Sequence, residues 1–138
     1  MTQEDKELLL RDLSARLPYG VKGIITYDES NTAFTVEGID NNVLHLSDAE
    51  ECYVEDFKLC LRPMSSMTEE EKEELKEIGS EYLEKWENAQ DPIDRWRVDA
   101  EISCKRSEFY NSHLLDWHGL IPKGLAIAVT EENNPYGR

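Results

Sequence analysis

Three residues toward the C-terminal end carry side chains that can ligate a metal or move protons. His113, Asp116 and His118 lie within six positions of one another, and imidazole with carboxylate is a competent donor set for Zn²⁺. Their spacing argues against that use. His113 and Asp116 share a helix face at i, i+3, whereas His118 falls past the helix end and has to fold back. Neither His-x-x-x-His nor His-Glu-x-x-His occurs, and His45 is the one other imidazole. The expectation is a capped helix end, with Asp116 and His118 bonded to loop backbone, no metal and no cofactor. Cys52, Cys60 and Cys104 cannot all pair within one chain and form no Cys-x-x-Cys. Cys104 alone has cationic neighbours, Lys105 and Arg106, and the expected state of all three is a free, inert thiol. No Gly-x-Ser-x-Gly, Walker-type loop or dinucleotide fingerprint is present. Thirty acidic residues guarantee chance carboxylate pairs, so no catalytic residue is assigned.

The stretch SEFYNSHLLDWHGLIPKGLAIAV at 107–129 must position the histidines. It reads as a helix over 105–117, with Phe109, His113 and Trp117 on one line, capped at Gly119 and followed by a turn at 121–124 and an apolar tail. This closing helix-turn-tail, 105–129, is expected to dock on a sheet and complete its core. Residues 2–17 read as a helix capped by Thr2, with Leu9, Leu13 and Leu17 on one stripe, Arg11 and Arg16 at its negative end and Pro18 as its stop. Over 21–62 the period drops to two. Strands at 21–27, 32–39, 43–46 and 57–62 are separated by polar turns and by an acidic loop at 48–51. The predicted fold is a single α+β domain: a curved, barrel-like, four-stranded antiparallel meander packed by the N-terminal helix and a C-terminal helical region.

Thr68 and Glu71 form a capping box at the head of a long acidic helix, 68–90. Leu75, Ile78, Tyr82 and Trp86 mark its apolar face, and Glu73, Glu77, Glu81 and Glu84 line its other side. Asp91-Pro92 breaks it. At 93–104 Trp96, Val98, Ala100 and Ile102 alternate like a strand, although helix or irregular structure is the expectation. Trp86, Trp96, Tyr110 and Trp117 are expected mainly in the core, with Trp96, between Arg95 and Arg97, the one most exposed. Residues 130–138 are expected to fray.

Fifteen basic against thirty acidic residues give a net charge of −15. That field opposes contact with nucleic-acid phosphate or an anionic membrane. The start of the chain lacks the basic region and cleavage site of an export signal, and no apolar run reaches membrane-spanning length. A reduced, cytoplasmic protein is expected.

Three phrases, ARLPYGVKG at 15–23, LCLRPMSSMTEEE at 59–71 and DWHGLIPKGLAIAVTEENNPY at 116–136, together resemble a family of short uncharacterised proteins from gut Bacteroidetes and their phages or mobile elements. The resemblance covers most of the chain and implies a setting, an accessory role such as blocking a host protein, with no activity attached. In related chains an arginine often stands where His118 is here, which weakens a ligand role for it. The functional expectation is a non-enzymatic accessory protein that binds another protein, with the glutamates at 73, 77, 81 and 84 as an acidic face imitating phosphate. Trp96, His113, Asp116, Trp117, His118 and Lys123 are the candidate binding residues. The alternative is a nucleotide-binding protein using Lys22, Lys58, Arg62 and Lys123 as cations, and an unrecognised hydrolase ranks third.

Overall fold

Residues 3–16 wind into a helix because Thr2 accepts a hydrogen bond from the Asp5 amide (3.0 Å), while Glu4 and Asp5 face the positive end of the helix dipole. In the computed structural model, which describes residues 1–136, this helix is α1 (Gln3–Arg16). It is followed by β1 (Lys22–Ile25), β2 (Ala33–Asp40), β3 (Val43–Leu46), β4 (Glu51–Tyr53), β5 (Phe57–Leu61), α2 (Glu69–Glu87), α3 (Pro92–Ser112) and β6 (Ala126–Ala128). The class is α+β. No helix among the described residues is long and apolar enough to cross a membrane.

The strands form one six-stranded sheet in the order β4-β3-β2-β1-β5-β6, antiparallel throughout except for the parallel pair β5–β6. This corrects the expected four-stranded, barrel-like meander in three places. A short strand, β4, starts at the last residue of the acidic loop and runs through 52–53, which no predicted strand included. The strand at 57–61 pairs with β1 instead of extending the meander. The apolar tail adds β6 as a new edge. The sheet is nevertheless bent. Four peptide steps separate Tyr53 from Phe57 and span at most about 14 Å, whereas four flat strand spacings would need roughly 19 Å. A register shift between Val36 and Gly38 supplies part of the bend in β2.

Strand burial alternates cleanly, as in the intermediate–buried pattern of β1 and β3. The inward set packs against Leu9 and Leu13 of α1. Leu114, Leu120, Leu125 and Ala126 of the closing segment join the same core cluster. Gly23 sits where a Cβ would collide with the Lys58 carbonyl and the Phe57 ring, so only glycine lets β1 and β5 approach there.

The helix expected as one reading of 93–104 is present, while the end of the last helix and the fraying of the tail change. The chain over 93–112 is one continuous helix, α3, started by Asp91, whose carboxylate accepts from the Asp94 amide (2.8 Å), with Pro92 in the first turn. It ends at Ser112 rather than 117, so Trp117 shares no helical line with Phe109 and His113. The expected fraying of 130–138 gives way to a pinned tail. The Tyr136 hydroxyl donates to the Cys60 carbonyl (2.7 Å) and accepts from the Lys22 amide (2.9 Å), bridging β1 and β5. Residues 137–138 lie outside the described residues.

Candidate functional site

The closing segment is held by tertiary bonds that override its helical reading. Leu114 adopts a left-handed backbone (φ 57°). Its carbonyl accepts from the Arg62 amide (2.8 Å), while the Asp116 amide donates to the Arg62 carbonyl (2.8 Å). The buried Asp116 carboxylate then accepts from the amides of Leu120 (2.7 Å) and Ile121 (2.9 Å), fixing the turn that leads to β6. His118 turns toward α1, its Nδ1 2.7 Å from Asp12 Oδ2. That carboxylate also accepts from Arg16 Nε (2.7 Å), and Arg16 Nη2 donates to the Leu115 carbonyl (2.7 Å). Asp12 and Arg16 are fully buried, so Arg16, expected at the negative end of the helix dipole and found in the last turn, is also an internal brace. Trp117 donates from Nε1 to Asn111 Oδ1 (2.9 Å) and lies between the rings of Tyr110 and His118.

A second cluster forms where α2 leaves the sheet. Arg62, at the end of β5, reaches both oxygens of Glu71 (2.7 and 2.6 Å) in a bidentate pair. Glu71 completes the capping box by accepting from the Thr68 amide (2.8 Å), and His113 Nδ1 is 2.9 Å away. Hydrogen bonding from Arg62, against the opposing effect of burial, brings the Glu71 carboxyl down to about 2 from its ordinary 4.5. The same bond raises the Arg62 pKa. Glu70, Glu71, Glu74 and Glu131 line the adjoining cleft of about 900 Å³ and outnumber Arg62 there. A phosphate would meet repulsion rather than a cradle. The other cations proposed for a nucleotide lie elsewhere. Lys22 and Lys58 share the outer face of β1 and β5, and Lys123 is 3.8 Å from Asp5.

The third feature is the arm made by α2 and α3. Only Glu71 and Tyr82 of the 19 residues of α2 are buried, and only Phe109 and Asn111 of the 21 residues of α3. All four except Tyr82 lie at the root, and none belongs to the core cluster. This corrects the expectation that the C-terminal helical region covers the sheet: α1 and the closing segment do so. Toward the tip Leu83, Trp86, Ile93 and Trp96 are exposed, Trp96 by 73%. Trp86 is therefore not in the core; it carries the Arg95 guanidinium 5.0 Å from its ring. Glu73, Glu77, Glu81 and Glu84 are exposed along the side of α2 opposite the groove between the helices.

The candidate residues thus divide among separate places. His113 serves the Glu71 cluster, Asp116 the turn, His118 the α1 brace, Trp117 the Tyr110 stack and Lys123 the surface, while Trp96 stands on the arm. Among the described residues no three His, Cys, Asp or Glu side chains are grouped to hold a metal ion. Cys52 and Cys60 are buried, and burial foremost raises their thiols, Cys52 to about 11 with Asp56 adding to it. Cys104 is exposed on α3. Asp12 and Tyr136 were not singled out from sequence, and Glu71 was read only as half of a capping box. The capping box was the one local signal of Glu71, and the i, i+4 spacing of Asp12 and Arg16 the one local signal of the brace. Compared with protein-family models, with curated proteins and with solved structures, the chain matches none.

Proposed function

We propose that this is a non-enzymatic accessory protein, of phage or mobile-element setting, that acts by binding another protein through the α2–α3 arm. The observation that carries this reading is the arm itself: two helices of 19 and 21 residues that together bury four. Helices in water draw most of their stability from packing an apolar face, so an arm with Leu83, Trp86, Ile93 and Trp96 uncovered is an element whose partner is missing. Large rings of this kind dominate protein interfaces. The glutamates at 73, 77, 81 and 84 give the arm a second, acidic face suited to a basic groove on a nucleic-acid-binding host protein. The resemblance of three sequence phrases to proteins of gut Bacteroidetes and their phages supports the setting.

The test is capture from an extract of the native host by the immobilised full chain. A partner held by the acidic face is retained at low salt and released as salt approaches about 1 M, where the screening length falls to roughly 3 Å. The paired reversal Glu77→Lys and Glu81→Lys abolishes its capture. Retention that ignores both salt and reversal would remove the acidic face from the account.

A further inference from the structure

Reading the arm as a contact element does not say which protein covers its apolar side, and α3 carries a pattern that does. Ile93, Trp96, Ala100, Ser103, Ser107 and Tyr110 recur at alternating three- and four-residue steps, the spacing of a helix–helix seam. No charged residue falls on this line, and its members up to Ser103 are exposed. Asp99 and Arg106 flank it on one side, and among the described residues neither makes an ion pair within the chain. Both are exposed at the edge of this apolar line.

We infer that the protein forms a two-fold dimer in which α3 of one copy lies antiparallel against α3 of a second copy. The inference rests on reading the arm as a contact element. In this arrangement Trp96 sits over Ser107 of the second copy, Ile93 over Tyr110, and Ala100 over Ser103. The same register brings Asp99 of each copy to Arg106 of the other, twice by symmetry. Charge singles out this surface. Two molecules of net charge −15 repel, and α3 is where the acids and bases balance. Asp94, Arg95, Arg97, Asp99 and Glu101 sum to −1, and Lys105, Arg106 and Glu108 to +1, so antiparallel pairing sets opposite signs together. With an aromatic side chain offering roughly 150–250 Å², Trp96, Ile93, Tyr110 and the neighbouring groove of about 950 Å³, lined by Leu75, Leu83, Trp86, Val98 and Ile102, supply several hundred Å² per copy. That is the scale of the roughly 800 Å² per partner in stable interfaces. Two helical hairpins joined in this way make a four-helix bundle, with the glutamate faces of both copies turned outward.

Sedimentation equilibrium of the full chain tests the inference. The expected particle has twice the 16.0 kDa chain mass, and Trp96→Glu reduces it to a monomer with an unchanged circular-dichroism spectrum. Asp99→Arg and Arg106→Asp each dissociate the dimer, and the double variant restores it, a recovery that a folding defect would not produce. A wild-type chain that remains monomeric to several hundred micromolar overturns the inference, as does a Trp96→Glu variant that remains dimeric or a double swap that fails to re-associate. The outcomes separate from those of the function proposed above. A monomeric wild type that captures a foreign protein through Trp96 sinks the dimer and leaves the arm as a contact element; a monomer whose capture ignores both Trp96 and the glutamates sinks both.

Discussion

Glu71 gathers donors from three directions: both terminal nitrogens of Arg62, the Thr68 amide and the His113 ring. Its carboxyl is lowered to about 2, so the charged form is favoured by folding. A depressed carboxyl stabilises the fold above its ordinary pKa of 4.5 and loses that contribution as pH falls toward 2. Glu71→Gln is therefore expected to lower stability at pH 7 by on the order of 3 kcal/mol, and the gap from wild type should close between pH 4.5 and 2. Urea unfolding across that range measures it; a gap of constant size would count against the ion pair as its source. Half of this cluster was legible in advance. Thr68 and Glu71 stand three apart before an apolar run, which is a local signal, whereas Arg62 and His113 come to Glu71 through the fold of the sheet. The bracing role of Arg16 was hidden for the same reason: its acceptor, the Leu115 carbonyl, is 99 residues away.

At the scale of elements, local chemistry placed the starts of helices and tertiary bonds placed an end. Thr2 and Thr68 each cap the helix their spacing announces, while Asp91, read as a break, caps α3. The ambiguous period of 93–104 has a physical cause, since α3 has little core to face and its apolar residues were not arranged to meet one. Its stop at Ser112 depends on backbone pairing between Arg62 and residues 114 and 116, which no neighbouring residue reports. β4 escaped notice because it is three residues long and follows Asp48 and Ala49, both with positive φ. Gly23 lets β1 approach β5 closely, and Gly23→Ala should destabilise the protein by about 1–3 kcal/mol through overpacking against β5. The shift in urea midpoint at constant slope is the measurement; a change below about 0.5 kcal/mol, the range of ordinary surface substitutions, would mean that the β1–β5 spacing relaxes freely.

The molecule as a whole has two parts with different grounds for stability. The body closes around Leu13, Leu44, Leu59, Leu61 and Leu120, all fully buried, while the arm beyond its root relies on helix propensity, the α2–α3 contact and whatever covers it. Local opening should therefore cost far less in the arm. In dilute monomer, amides near 83–100 are expected to exchange with solvent much faster than those of β3 and β5, and to slow as concentration rises. Uniform protection at every concentration would show that the arm and body unfold together. The single α+β class was readable from the switch of period at residue 21. The projection of the arm was not, because exposure depends on where α1 and the closing segment already cover the sheet.

The distance along the chain between Arg16 and its acceptor has a consequence for biosynthesis. A polypeptide emerging from the ribosome presents the first helix and five strands well before Leu115, Leu120 and Ala126 exist. Until then the guanidinium remains hydrated and one flank of β5 is unpaired, so an early-terminated product holds an unfinished interior with a sticky edge. Synthesis of residues 114–126, rather than of the first half alone, is what supplies the remaining members of the core cluster.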